Sequence, residues 1–231
     1  MITPPLSRTF AAALGLSLAI VIPAHAGSVS GKITYTGTAP KAEQLKMDAD
    51  PICMKAHGTI ASERYVVAAD GGLKNVFIYV KEGLEGKTFS PKGEVILDQV
   101  GCQYTPHVIG AMAGQKIEIV NSDDTLHNVH PLPKENREWN LAMPFKGQKV
   151  KKSFRKAEVG IPVTCNVHSW MKSYICVVDN PYFSVSGDDG SFTIKDLPDG
   201  TYTIAAWQEE LGEKTAKLTV SGDTTTSFTF E

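Results

Sequence analysis

The chain of 231 residues has no excess of either charge: 23 Lys and Arg face 25 Asp and Glu, a net charge of −2. That balance gives no support to nucleic-acid binding or to adhesion to an anionic membrane surface. Long apolar patterns of 3.6-residue period are also missing, which argues against a helical fold. The longest apolar stretch, Phe10 to Ile22, is too short for a membrane span. Cysteine and histidine are scarce, at four and six, so each sulfur and each imidazole has to be accounted for.

That apolar stretch has a use of its own. Arg8 gives a thin positive start, Phe10 to Ile22 an apolar core, and Ala24-His25-Ala26 a small-residue cleavage site before Gly27. Residues 1–26 therefore read as a signal peptide cut after Ala26, with an uncleaved anchor as the alternative. The mature chain is expected to be periplasmic or otherwise secreted, with no membrane insertion after cleavage.

What remains is long enough for one large or two small domains. Short alternating segments recur in it: Ser28–Tyr35, Asn75–Val80, Lys116–Val120, Tyr174–Val178, Phe192–Ile194, Tyr202–Trp207 and Lys217–Val220. Gly, Pro, Asp and Asn punctuate them, as antiparallel strands joined by turns require. Tyr65-Val66-Val67 and Lys74 to Val80 read as a paired hairpin around Asp70-Gly71-Gly72. The fold class is all-β. Three segments are expected after the signal: 27–94, 95–180 and 181–231.

Chemistry concentrates in the middle segment. Thr164-Cys165-Asn166-Val167-His168-Ser169-Trp170-Met171 sets a thiol, an imidazole and a thioether at C-x2-H-x2-M spacing. Upstream, Leu126-His127-Asn128-Val129 offers a second imidazole. One Cys, two His and a weak axial Met are the ligand set of a blue-copper electron-transfer centre. The spacing suits a strand, a tight loop and a strand: Cys165 ends the first, His168 turns inward, and Met171 caps the site. His127 must then come from a neighbouring strand, so only a folded sheet assembles the set. Structural zinc is an alternative, but it prefers more thiolates and has little use for Met. A Cys165–Cys176 disulfide is another, and it leaves the His and Met spacing without a reason.

His127-Asn128-Val129-His130, followed by the C-x2-H-x2-M loop, resembles the cupredoxins, in particular their plastocyanin- and amicyanin-like members. Tyr104-x-Pro106, Gly114-Gln115-Lys116-Ile117 and Asn121 belong to the same resemblance, which runs from about Leu97 to Val178. It implies a Greek-key β-sandwich with one type 1 copper on His127, Cys165, His168 and Met171. Asn128 would stand behind the ligands, tying the first-ligand strand to the Cys loop. His168 would reach the surface through an apolar patch that Trp170 and Pro162 help to build, forming the electron port. The partners implied are redox proteins: a c-type cytochrome, or a periplasmic dehydrogenase of methylamine utilization. The amicyanin-like members carry Pro after the second His, where this chain has Ser169.

The tail has a pattern of its own, D-G-x-F-x-I-x-x-L-P-x-G-x-Y-x-I, from Asp189 to Ile204. It resembles the carboxypeptidase regulatory-like (transthyretin-like) β-sandwich. Gly31-Lys32-Ile33-Thr34-Tyr35 is similar to the opening strand of such a domain, so the copper domain is either inserted into this smaller sandwich or flanked by its pieces.

With Cys165 on the metal, an exported chain is expected to pair two of the other cysteines. Cys53 and Cys102 sit in polar, loop-like contexts and are the expected pair. Cys176 lies in an apolar run and reads as a buried free thiol. Cys53 and His57 as half of a second metal site is the alternative. An oxidase or nitrite reductase would need further His-rich sites, yet only His57, His107 and His130 remain in the mature chain, none in an H-x-H pair. His130 has the opposite side-chain parity to His127 in a regular strand.

Lys146, Lys149, Lys151, Lys152, Arg155 and Lys156 surround Phe154. They read as an edge strand whose lysines discourage aggregation, with steering of an acidic partner as the alternative. The function expected is a mononuclear carrier of single electrons, not itself an enzyme. Copper storage, delivery or tolerance is the alternative, and six scattered Met residues argue against it.

Overall fold

The structure, a computed structural model, describes residues 26–231. The expected signal segment lies outside the described residues apart from Ala26, which begins the first strand. Strands follow wherever apolar and polar residues alternate between turn formers. The leading segment holds β1 (Ala26–Tyr35), β2 (Gln44–Lys46), the short helix α1 (Pro51–Ala56), β3 (Thr59–Ala61) and β4 (Phe77–Glu82). The middle begins with β5 (Glu94–Val100), β6 (Gln103–Thr105), β7 (Val108–Met112), β8 (Lys116–Asn121) and β9 (His127–Pro131). It continues through β10 (Leu141–Met143), β11 (Lys149–Lys152), β12 (Glu158–Thr164) and β13 (Lys172–Val178). The tail adds β14 (Phe183–Val185), β15 (Ser191–Pro198), β16 (Gly200–Gln208), β17 (Gly212–Val220), β18 (Thr224–Thr225) and β19 (Phe228–Phe230).

These strands make two β-sandwiches. In the outer one, β1 pairs with β15, β18 and β19, and faces a sheet ordered β14-β4-β16-β17. Val29, Ile33, Ile78, Ile194, Ile204 and Phe230 fill the space between, each fully buried. The leading and trailing segments thus complete one sandwich, and the middle segment is inserted between them. The inner sandwich packs the sheet β10-β9-β12-β13-β7 on β11-β8-β5-β6. Its core includes Leu97, Tyr104, Ile117, Ile119, Val129, Ile161, Val163 and Ile175.

A third cluster joins the two bodies. Phe77 and Ala205 of the outer sandwich meet Val108, Cys176 and Val178 of the inner one, with Phe183 and Trp207 packed alongside. Gly160 shows how tightly they fit: its φ is +78°, and a Cβ there would stand 2.4 Å from the Trp207 ring.

Two details differ from the sequence reading. The hairpin around Asp70-Gly71-Gly72 is shorter than expected: Val67 bridges Leu73, with Lys74 N donating to Val66 O and Ala68 N to Gly72 O, and Tyr65 lies outside any strand. The returning backbone also bonds to β1, with Leu73 N donating to Ile33 O and Tyr35 N to Gly71 O. The segment around Cys53 is helical, because Asp50 caps it and Pro51 opens it: Asp50 Oδ1 accepts from the N–H groups of Ile52 and Cys53. The basic stretch forms β11, at a sheet edge, where Lys149 pairs with Glu118 at 2.8 Å and Lys151 with Glu94 at 2.7 Å. Much of its charge is met locally, as an edge strand requires.

Gly160→Ala combines a strained backbone with a clash on Trp207, and is expected to cost about 2 kcal/mol. Urea unfolding measures it; an unchanged midpoint would mean that the seam between the sandwiches is looser than its packing indicates.

Candidate metal centre

Three neighbouring strands converge at one end of the inner sandwich. β9 begins with His127, and β12 ends at Thr164, one residue before Cys165. β13 starts at Lys172, one residue after Met171. Tyr104 holds the first two strands at this point: its buried hydroxyl donates to Asn128 O at 2.5 Å and lies 3.0 Å from Thr164 O. The Cys165–Met171 loop is closed by Met171 N donating to His168 O at 3.0 Å.

The loop therefore brings His127, Cys165 and His168 together, with one ligand atom of each within 4.8 Å of the others. All three are buried. Nδ1 of His127 lies 2.9 Å from Nδ1 of His168, which is 3.9 Å from Cys165 Sγ. Met171 is 1% exposed and belongs to the same core cluster as Cys165.

The outer nitrogens explain why the inner ones face each other. His127 Nε2 meets Asp123 Oδ2 at 2.9 Å, and His168 Nε2 meets Asp50 Oδ2 at 3.2 Å. Burial alone would raise both carboxyls, but their bonds prevail. Thr125 and the N–H groups of Cys53 and Ile52 bring Asp50 down to about 2. His127 and the N–H groups of Cys102 and Gly101 lower Asp123. Ionised carboxylates only accept, so each Nε2 carries the proton and each Nδ1 keeps its lone pair. Two lone pairs and a sulfur then point into one buried space, an arrangement that calls for a cation. Carboxylates behind ligating histidines commonly fix the tautomer in this way.

The donors are tuned unequally. Burial would depress His127, but Asp123 and Cys165 outweigh it and hold the imidazole above its ordinary value. His168 is held below its ordinary value by burial, only partly offset by Asp50. Burial would raise the Cys165 thiol, yet His127 and backbone N–H donors bring it below the usual range. One of those donors is His168 N, 3.4 Å from the sulfur.

Asn128 spans the gap between β9 and the loop. Its Oδ1 accepts from Asn166 N at 2.6 Å and from the Cys165 thiol at 3.3 Å, while Nδ2 donates to Asn166 Oδ1 at 2.8 Å. Trp170 leans over the His168 ring, centroids 4.9 Å apart, and donates Nε1–H to Cys102 O.

The expected electron port is not formed as the sequence suggested. His168 is only 1% exposed, because α1 and the Cys53–Cys102 disulfide lie over it, with Cys53 Sγ 3.8 Å from Nε2. Pro162 sits back in β12, paired with Tyr174, and takes no part in the loop. Trp170 alone of the two remains beside the donor set. Cys53 is in a disulfide, so no metal pair with His57 forms. His130 bonds outward to Asn166 and Glu138, and His107 bonds to Glu209, away from the centre. The sequence reading missed Asp50 and Asp123. Asp50-Pro51 was a legible helix start, but nothing in the sequence places that helix over His168.

Comparisons place parts of the chain. The family described as polysaccharide lyase family 4, domain II, matches residues 154–228, which straddle both sandwiches. No curated protein matches in sequence. Among solved structures, a Cu-containing nitrite reductase (NirK) from Thermus scotoductus SA-01 is 21% identical over 41% of this chain, TM-score 0.34. This chain spans only 24% of that enzyme. A purple cupredoxin from Nitrosopumilus maritimus is 17% identical over 37% of this chain and 99% of its own, TM-score 0.31. An oxidized amicyanin mutant is 17% identical over 43% of this chain and 97% of its own, TM-score 0.34. At such identities and scores, any functional reading has to come from the site's own residues.

Two outcomes follow from this geometry. Asp123→Asn should lower affinity for a divalent transition-metal ion by about 10–100-fold, read by chelator competition; unchanged affinity would mean the carboxylate does not order His127. Cys176 is fully buried, and burial pushes its thiol up. The native protein should therefore resist alkylation at Cys176, and label found there by mass mapping would contradict its burial.

Proposed function

We propose that the chain is an exported type 1 (blue) copper protein, one copper per chain, that carries single electrons between redox partners. The observation that supports it is the buried donor set: two imidazole lone pairs and a thiol of lowered pKa, with a thioether in the same core. These groups suit copper better than zinc or a hard cation. His127, Cys165 and His168 would hold it, with Met171 as the axial sulfur. When bound, copper would supply a one-electron Cu(I)/Cu(II) couple.

The chain's own residues do the rest. Asp123 and Asp50 hold the imidazole tautomers, Asn128 ties the cysteine loop to β9 through Asn166, and His168 N–H donates to the cysteine sulfur. Burial keeps water from the donors, so little solvent has to reorganise when charge changes. With His168 covered, Trp170, half-buried and stacked near that ring, is the route by which an electron reaches the surface. A c-type cytochrome or a periplasmic dehydrogenase is the partner class this reading carries. The outer sandwich we read as a transthyretin-like scaffold. Copper storage or delivery needs exchangeable coordination, and a donor set closed beneath a disulfide disfavours it.

The test is a visible and EPR spectrum of the Cu(II)-loaded protein. An intense thiolate-to-copper band with narrow hyperfine splitting is expected, reversibly bleached by ascorbate and lost in Cys165→Ser. A pale, tetragonal spectrum indifferent to Cys165 would overturn the reading and favour copper handling.

A further inference from the structure

Beside the donor set lies a cleft of about 330 Å³, bounded by the β2–β3 hairpin and the ligand loop. Trp170 and Met171 line it, and so do His107, Glu209 and Glu63. His107 and Glu209 have side chains only 6% and 3% exposed, yet neither belongs to the metal centre. Glu209 Oε1 lies 2.5 Å from His107 Nε2. A carboxylate accepts, so Nε2 carries the proton and Nδ1 is left as the acceptor. Its nearest carboxylate oxygen, Glu63 Oε2, is 3.9 Å away, beyond hydrogen-bond distance. The ring also meets the edge of Tyr174, centroids 5.8 Å apart.

A buried imidazole with one nitrogen fixed by a carboxylate and the other free is the arrangement of a general base. An electron carrier that exchanges with a cytochrome has no need of one, because that exchange moves no proton. A phenol or hydroquinone does need one, because losing an electron makes its O–H strongly acidic. The cleft is large enough for a single-ring ligand. Acidic and basic side chains balance in its lining, which suits a neutral molecule, and Trp170 offers an aromatic face.

We propose that this cleft binds a small phenolic or hydroquinone electron donor. The proposal rests on the electron-carrier reading and names its donor. In the step, the donor's O–H bond would break: its proton would pass to His107 Nδ1, and its electron would leave by way of Trp170 or Met171 toward His127, Cys165 and His168, which would hold the copper as one-electron acceptor. The donor leaves as a neutral aryloxyl radical. Trp170 is already within 4.9 Å of the His168 ring, centroid to centroid, so the donor sits one side chain from the ligands.

The first arm uses the metal-free, unaltered protein titrated with 4-methylphenol. The Trp170 indole N–H and the His107 ring signals should shift in NMR spectra while Trp139, which lies outside the cleft, stays still. The second arm times reduction of the Cu(II)-loaded protein by hydroquinone and by ferrocyanide, which gives an electron without a proton. His107→Gln should slow hydroquinone at least tenfold, remove its solvent isotope effect and leave ferrocyanide unchanged. Stationary Trp170 signals would overturn the proposal, as would a variant that slows both donors alike or neither. Failure of the unaltered Cu(II) protein to be bleached reversibly by ascorbate would instead overturn the carrier reading, and the oxidation step with it.

Discussion

Two imidazole nitrogens, each with a lone pair, face each other across 2.9 Å in a space closed to solvent. Left alone they would repel, and in water either ring could turn over or take up a proton. Neither ring can turn here, because Asp123 and Asp50 hold the far nitrogens. The centre is thus preorganised from behind: the carboxylates decide where the lone pairs point, and the lone pairs decide what the cavity can accept. Tyr104, Asn128 and the loop bonds are arranged around that constraint, each pinning a backbone segment that would otherwise let a ligand swing away.

The wider architecture serves the same end. A single inner sandwich would present the Cys165–Met171 loop at an open end. Here the leading segment of the outer sandwich sends α1 and a small hairpin across that end before returning to β4. The leading segment of the outer sandwich therefore encloses a loop of the inserted one. The seam through Phe77, Cys176 and Trp207 keeps the bodies in one register, so the covering segment stays aligned with what it covers.

Much of this was legible in the sequence, for identifiable reasons. Period-2 alternation with turn formers between marked β1, β8, β13, β15, β16 and β17 within a few residues, because a half-buried strand imposes that pattern directly. The ligand loop was legible because its residues are close in sequence as well as in space. The β2–β3 hairpin, α1 and the short strands β18 and β19 were not. They are three residues or fewer, or in α1's case six, too short for any period to show. Asp50 and Asp123 escaped for another reason. An aspartate in a loop reads as a cap or a turn, and Asp50 does cap α1. Its contact to His168, and those of Asp123 to His127 and to the N–H groups of Gly101 and Cys102, arise only from tertiary folding. The same holds for the burial of His168: local sequence argues for an exposed loop residue, and a segment more than a hundred positions away decides otherwise.

Asp50 has one further consequence. One of its oxygens starts a helix, the other holds a ligand, and the helix it starts carries Cys53, whose sulfur is joined to Cys102. The helix start, the orientation of the imidazole and the cross-link are therefore coupled through one side chain. The cap, the carboxylate contact and the cross-link thus hold one edge of His168 between them, and a change in any of the three bears on the other two.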